Sequence, residues 1–232
     1  MAAAERKDVG MEGWLARWYA RTRQTDMEDF RRQAATVAAR CGGRGKVLEV
    51  APGPGYFAVE LAKLGDFRIT GLDISHTFVR IASGNAAKAG VLVDFRQGNV
   101  SAMPFADALF DFVYCSAAFK NFAEPVKALD EMHRVLRDGG EVVIVDLRKD
   151  VPMEEIDAYV RRSGRTVFDA WITKQTFRRL LIRRAHTQEA LEQMAAKSRF
   201  GACRIKVESI GLEVRLTKAD DCSSCVSPIG GV

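Results

Sequence analysis

The stretch Val47-Leu48-Glu49-Val50-Ala51-Pro52-Gly53-Pro54-Gly55-Tyr56-Phe57-Ala58 decides how this chain folds. Residues 46–50 are a short apolar run of strand length, a glycine- and proline-rich turn follows, and residues 57–64 have helical spacing. In such a strand–turn–helix unit Gly53 and Gly55 let the backbone approach a ligand closely. The two prolines stiffen the loop, and the first N–H groups of the helix face whatever is bound there.

Upstream, residues 11–40 read as helical, with Trp14, Leu15, Trp18, Phe30 and Val37 at spacings of three to four, until Cys41-Gly42-Gly43-Arg44-Gly45 breaks the pattern. Downstream, strands and helices alternate. Residues 68–72 read as a strand, and 77–89 as a helix closed by Gly90. Residues 93–97 and 110–115 are further strands. A helix over 125–136 starts on Pro125 and ends at Asp138-Gly139-Gly140, and 141–147 is another strand. Parallel strands need crossover connections, so this alternation predicts a parallel sheet with helices on both faces. After a helical stretch, residues 203–208 and 212–217 are separated only by a tight Ile-Gly turn, which forces an antiparallel pair. The expected fold is α/β: a doubly wound, mostly parallel seven-stranded sheet ending in an antiparallel hairpin. The expected organisation is an N-terminal helical cap (1–40), a ligand-binding core (41–150), a basic helical lid insert (151–200), the terminal hairpin of the same domain (201–218) and a tail (219–232).

Composition narrows the class. The 232 residues are 47% hydrophobic and 28% charged, which excludes a wholly disordered, collagen-like or multi-span membrane chain. The charged start Glu5-Arg6-Lys7-Asp8 shows no signal peptide, so a cytoplasmic location is expected. The net charge of +5 is concentrated in 151–200, with ten basic against six acidic side chains, a weak basis for nucleic-acid binding. Cys222-Ser-Ser-Cys225 has C-x-x-C spacing but neither a second pair nor a histidine partner. It reads as an inert tail, and no metal site is expected.

A carboxylate at Asp73, 20 residues after Gly53, ends the second strand, where it can accept both hydroxyls of a ribose. Gly53 to Ala58 also matches G-x-G-x-x-G/A, which describes dinucleotide sites as well. Glu49 helps to choose. A charge at the tip of the first strand suits a ligand carrying an ammonium and a sulfonium, and is a poor neighbour for a pyrophosphate. Gly98-Asn99-Val100 follows the third strand, where an amide can bond an adenine edge. Met103-Pro104-Phe105, Phe110-Asp111-Phe112-Val113 and Leu136-Arg137-Asp138-Gly139-Gly140 come next.

As an ordered set these motifs resemble the class I S-adenosylmethionine-dependent methyltransferases, in the branch of small-molecule and quinone methyltransferases, over 47–150 and 201–218. That resemblance implies S-adenosylmethionine as cofactor. It implies that Glu49 orients the amino group, that Ala51 (where the family usually has Gly), Gly53 and Gly55 contact the methionine part, and that Asp73 holds the ribose. Ile74 would pack on the adenine, Asn99 (more often Asp in the family) and Val100 would flank it, and Ser116 would line the floor near the sulfonium. Lys120-Asn121 resembles the Arg-Asn pair of quinone C-methyltransferases, which makes both substrate-binding candidates. Lys120 is then an anchor for a carboxylate, phosphate or phenolate, or else an exposed loop cap.

Methyl transfer from a sulfonium needs alignment and dryness more than a fixed catalytic signature. The catalytic residues therefore stay open, with Lys120 and His186 as candidates. Tyr19, with Trp14 and Trp18, either covers the pocket or packs in the core. The insert segment around Trp171-Ile172 and Phe177 to Arg184 reads as an amphipathic helix or as a basic wall for an acidic or amphiphilic substrate. The expected activity is methyl transfer to a small organic acceptor. Nucleic-acid (RNA) methylation and NAD-dependent oxidoreduction are the alternatives, the former disfavoured because Cys115-Ser116-Ala117-Ala118 stands where the base-methylation motifs would be.

Overall fold

The structure, a computed structural model, describes residues 10–162 and 184–220. Two helices open it, α1 (Gly13–Arg23) and α2 (Met27–Arg40), followed by β1 (Arg44–Val50), α3 (Tyr56–Ala62), β2 (Asp66–Asp73), α4 (His76–Ala89), β3 (Asp94–Gln97) and β4 (Phe110–Ser116). Then come α5 (Pro125–Val135), β5 (Leu136–Leu147), α6 (Met153–Arg162), α7 (Gln188–Lys197), β6 (Arg204–Glu208) and β7 (Gly211–Thr217). The seven strands form one sheet in the order β3-β2-β1-β4-β5-β7-β6, and only β7 runs against the rest. The expected doubly wound sheet with its antiparallel end is present.

Alternation along each strand builds the two cores. Val47 of β1, Phe112 and Tyr114 of β4 and Val143 of β5 face Phe30, Ala34 and Val37 of α2 and Phe57, Ala58 and Leu61 of α3. Their neighbours Leu48, Val50, Val113, Cys115, Val142 and Ile144 face Ala128, Leu129 and Met132 of α5 and Leu191 and Ala195 of α7. The last helix of the 151–200 stretch therefore belongs to the layer covering the sheet. Trp171, Ile172 and the segment from Phe177 to Arg183 lie outside the described residues, as do Cys222 and Cys225.

Three local expectations are corrected. The N-terminal helix breaks at a 3-10 turn, Gln24–Asp26, where Arg23 Nη1 donates to Asp26 Oδ2 at 2.6 Å. The segment 136–140 does not terminate α5 as a loop but begins β5. Gly139 N donates to Lys218 O and Lys218 N to Gly140 O, each at 3.0 Å, which binds the glycines beside the end of β7. The register slip between Phe110 and Phe112 absorbs the irregularity. The hairpin turn is Ser209-Ile210, with Glu208 opposite Gly211.

Candidate active site

The turn after β1 is held from several sides. Ala51 N donates to Leu72 O at 2.8 Å and Gly55 N to Pro52 O at 3.0 Å, while Asn85 Nδ2 of α4 donates to Pro54 O at 2.9 Å. Gly53 and Gly55 have φ of +55° and +74°, the left-handed region open to glycine. At Gly55 a Cβ would lie 2.7 Å from Phe95 Cζ, so the turn packs tightly on β3. Ala51 also adopts φ +53°, which accounts for glycine as the family's usual residue there and leaves the alanine strained.

Two buried carboxylates flank this turn. Glu49 is only 4% exposed, and its Oε2 has no hydrogen-bond partner. Desolvation pushes its pKa up to about 8; the Ala58 N–H opposes that shift and the charge of Asp73 adds to it. Asp73 accepts from Gly53 N at 3.0 Å through Oδ2 and from Ser75 N at 2.9 Å through Oδ1, which joins the turn to the tip of β2. Burial raises its pKa to about 6 against those two hydrogen bonds, with Glu12 adding a smaller push. A buried acid with an open acceptor, beside N–H groups and two glycines, fits an ammonium-bearing nucleoside ligand. No buried cation answers Glu49 from within the described residues.

Tyr19 reaches the same place. Its Cε1 lies 4.0 Å from where a Gly53 Cβ would be, and its ring meets Phe78 edge-on at 5.8 Å. Tyr56 Oη donates to Ala20 O at 3.0 Å and fixes α1 over the turn. Trp14 and Trp18 are neither cover nor core: both are exposed. Just past the tip of β2, Ile74 is half-buried with its carbonyl accepting from Gln97 Nε2 at 3.2 Å. Asn99 turns its Oδ1 back onto Ser101 N at 2.8 Å, and Val100 is buried in the core beneath it. Ser116 ends β4, half-buried, one residue beyond the Cys115–Val50 pairing with β1.

Lys120 is not the exposed loop cap that was one of its two expected roles. It is 3% exposed, its Nζ donates to Asp146 Oδ1 at 2.8 Å and to Ala117 O, and its own N–H donates to Asp146 Oδ2 at 2.9 Å. The ammonium thus fastens the loop after β4 to β5, whereas Asn121 beside it is exposed. His186 is brought to this loop from the far side of the chain, pairing with Arg148 and packing on Phe119 at 5.9 Å.

Three contributors left no pattern in the sequence. Glu12 accepts from His76 N at 2.9 Å and Thr77 N at 3.0 Å, capping α4 beside Asp73. Tyr114, in register with Glu49, donates through Oη to Gln33 Oε1 at 3.0 Å and stacks on Phe57 at 4.1 Å. Asp146 is the partner of Lys120. The N-cap of α4 is Ser75, whose Oγ accepts from Phe78 N at 3.0 Å.

Residues 48–144 match the family described as methyltransferase domain. Over that stretch the chain is similar to a methyltransferase domain. Its sheet order, glycine turn and paired acids resemble those expected of the class I S-adenosylmethionine-dependent methyltransferases. The domain is 35% identical over 116 residues to a demethylmenaquinone methyltransferase of Deinococcus radiodurans, covering 50% of this chain and 48% of that one. It is 37% identical over 102 residues to a ubiquinone/menaquinone biosynthesis C-methyltransferase of Bdellovibrio bacteriovorus, covering 44% and 43%. The chain thus spans about half the length of the curated relatives it matches. A solved Methanococcus maripaludis structure, assigned as an S-adenosyl-L-methionine-dependent methyltransferase, shares the fold across 95% of this chain and 98% of its own. Its TM-score is 0.72 at 23% identity.

Proposed function

We propose that this chain is an S-adenosylmethionine-dependent methyltransferase acting on a small, amphiphilic aromatic acceptor of the quinol kind. The observation that carries the reading is the buried, unpartnered Oε2 of Glu49 beside the Gly53–Gly55 turn. In that role Glu49 holds the amino group, the turn holds the methionine part, and Asp73 holds the ribose. Ile74, Asn99 and Val100 surround the adenine, Ser116 lies below the sulfonium, and Tyr19 roofs the turn. When bound, S-adenosylmethionine supplies an activated methyl group with a neutral thioether as leaving group. The chain's own task is to align the acceptor and exclude water.

The acceptor class rests on the names of the two relatives, demethylmenaquinone and ubiquinone/menaquinone methyltransferases. Methylation at a ring carbon releases a proton, and His186 is the group to receive it. Lys120 serves by holding the loop that carries Asn121 toward the acceptor. The same Glu49 disfavours a dinucleotide, because a pyrophosphate brings no cation to its open acceptor and would repel the acid once ionised. Calorimetry with S-adenosylmethionine and with NAD separates these two readings. Transfer of labelled methyl from S-adenosylmethionine to a demethylmenaquinol analogue tests the acceptor. Binding of NAD but not of S-adenosylmethionine would overturn the assignment.

A further inference from the structure

Helix α1 has two faces of opposite chemistry. Ala16 and Ala20 are buried against the domain, and Tyr19 leans onto Phe78. The opposite face carries Trp14, 73% exposed, and Trp18, 57% exposed, one turn apart, with Leu15, 39% exposed, beside them. Single exposed apolar residues need no explanation, but three within five positions form a patch. Arg17 and Arg21 lie on the same outward side and are exposed. Neither pairs with a carboxylate among the described residues, and α1 itself contains no acidic residue. The neighbouring acid, Glu12, is engaged by the first turn of α4.

We propose that α1 is an interfacial helix that seats Trp14, Leu15 and Trp18 in the headgroup region of an anionic lipid bilayer. The residue types favour this occupant over a protein. Indole rings settle where an apolar body meets a hydrated N–H, and arginines reach lipid phosphates while their stems stay in the apolar layer. At about 1.5 Å of rise per residue, Trp14 and Trp18 are about 6 Å apart along a helix lying flat, so both reach the same depth. The uncompensated positive charge of Arg17 and Arg21 complements an anionic leaflet. The same helix sets Tyr19 over the cofactor turn, so a docked α1 places the mouth of the site at the lipid surface. An acceptor dissolved in the bilayer would then reach the site without crossing water. That last step rests on the proposed methyltransferase reading, whereas the membrane surface does not.

The test is co-sedimentation of the full chain with vesicles of 30% phosphatidylserine in phosphatidylcholine, and with pure phosphatidylcholine (composition on the order of a cytoplasmic leaflet). The wild type is expected to bind the anionic vesicles and to be released by about 0.5 M salt. The double variant Trp14→Ala/Trp18→Ala and the double variant Arg17→Glu/Arg21→Glu are each expected to lose at least about tenfold in partitioning. S-adenosylmethionine affinity, measured on the same proteins, is expected to stay unchanged. Sedimentation by neither vesicle, or equal partitioning of wild type and variants, overturns the proposal. So does a variant that changes oligomeric state while its partitioning stays the same, since a second copy then covers the patch. Vesicle binding without S-adenosylmethionine binding would keep the surface and reject the enzymatic reading. The reverse result would reject the surface alone.

Discussion

In its proposed role Glu49 would couple cofactor binding to proton release, and the coupling has a calculable size. With a pKa near 8 in the free protein, about one molecule in ten is ionised there at pH 7. A bound ammonium favours the carboxylate, so binding at pH 7 is expected to expel about 0.9 proton from this site. The deprotonation costs about 1.4 kcal/mol at pH 7, against about 1.5–3 kcal/mol from a charged hydrogen bond. Affinity for S-adenosylmethionine should therefore rise nearly tenfold from pH 6 to pH 7, about fivefold more to pH 8, and level off only above pH 8. Glu49→Gln keeps the shape without the charge or the proton. It should lose only about 0–1.5 kcal/mol at pH 7, and its affinity should vary by no more than about twofold from pH 6 to 7.5, the remaining change following Asp73. Calorimetry in buffers of different ionisation enthalpy reads the released proton directly. Wild-type binding with no buffer dependence, or a Glu49→Gln variant with the same pH slope, would refute the reasoning.

The free protein shows the opposite sign: a raised pKa means the folded state keeps a proton that the unfolded chain loses above the ordinary carboxylate value of 4.5. Stability from this group is complete below that value and is lost as pH rises through about 8. The Glu49→Gln variant should consequently melt above the wild type at pH 8, and the gap should close toward pH 5.

Asp73→Ala should weaken S-adenosylmethionine binding by about 1–3 kcal/mol, since it removes a charged acceptor and frees the Gly53 and Ser75 N–H groups; unchanged affinity by calorimetry would contradict the ribose role. Ala51→Gly should raise stability by about 0.5–1 kcal/mol in urea unfolding, because relief of left-handed strain exceeds the added chain entropy; a loss of stability would show that the φ of +53° is not strained. Lys120→Met strands Asp146 in the interior and should cost about 3–5 kcal/mol of folding stability. A cost below about 1 kcal/mol, with a large rise in KM for the acceptor, would return Lys120 to the acceptor site.

What the amino-acid order determined alone was the period of each segment and the chemistry of one loop. Alternating strand and helix runs from residue 46 to 147 require crossovers. The Gly53–Gly55 turn between Glu49 and Asp73 is readable because all its parts lie within one strand–helix–strand unit, where local sterics dominate. The C-terminal end of α4 at Gly90 was legible for the same reason. The partners of those residues were not. Lys120 and Asp146 are 26 positions apart, and nothing local distinguishes a buried lysine from an exposed one. Glu12 reaches α4 across 64 positions, and at the start of β5 the Leu136 carbonyl accepts from Lys218 Nζ, 82 positions away. Burial is a property of the assembled sheet and its two helical layers. Only tertiary structure could show that Glu49 stands desolvated with an acceptor open, that Tyr19 turns inward, and that Trp14 and Trp18 on the same helix turn out.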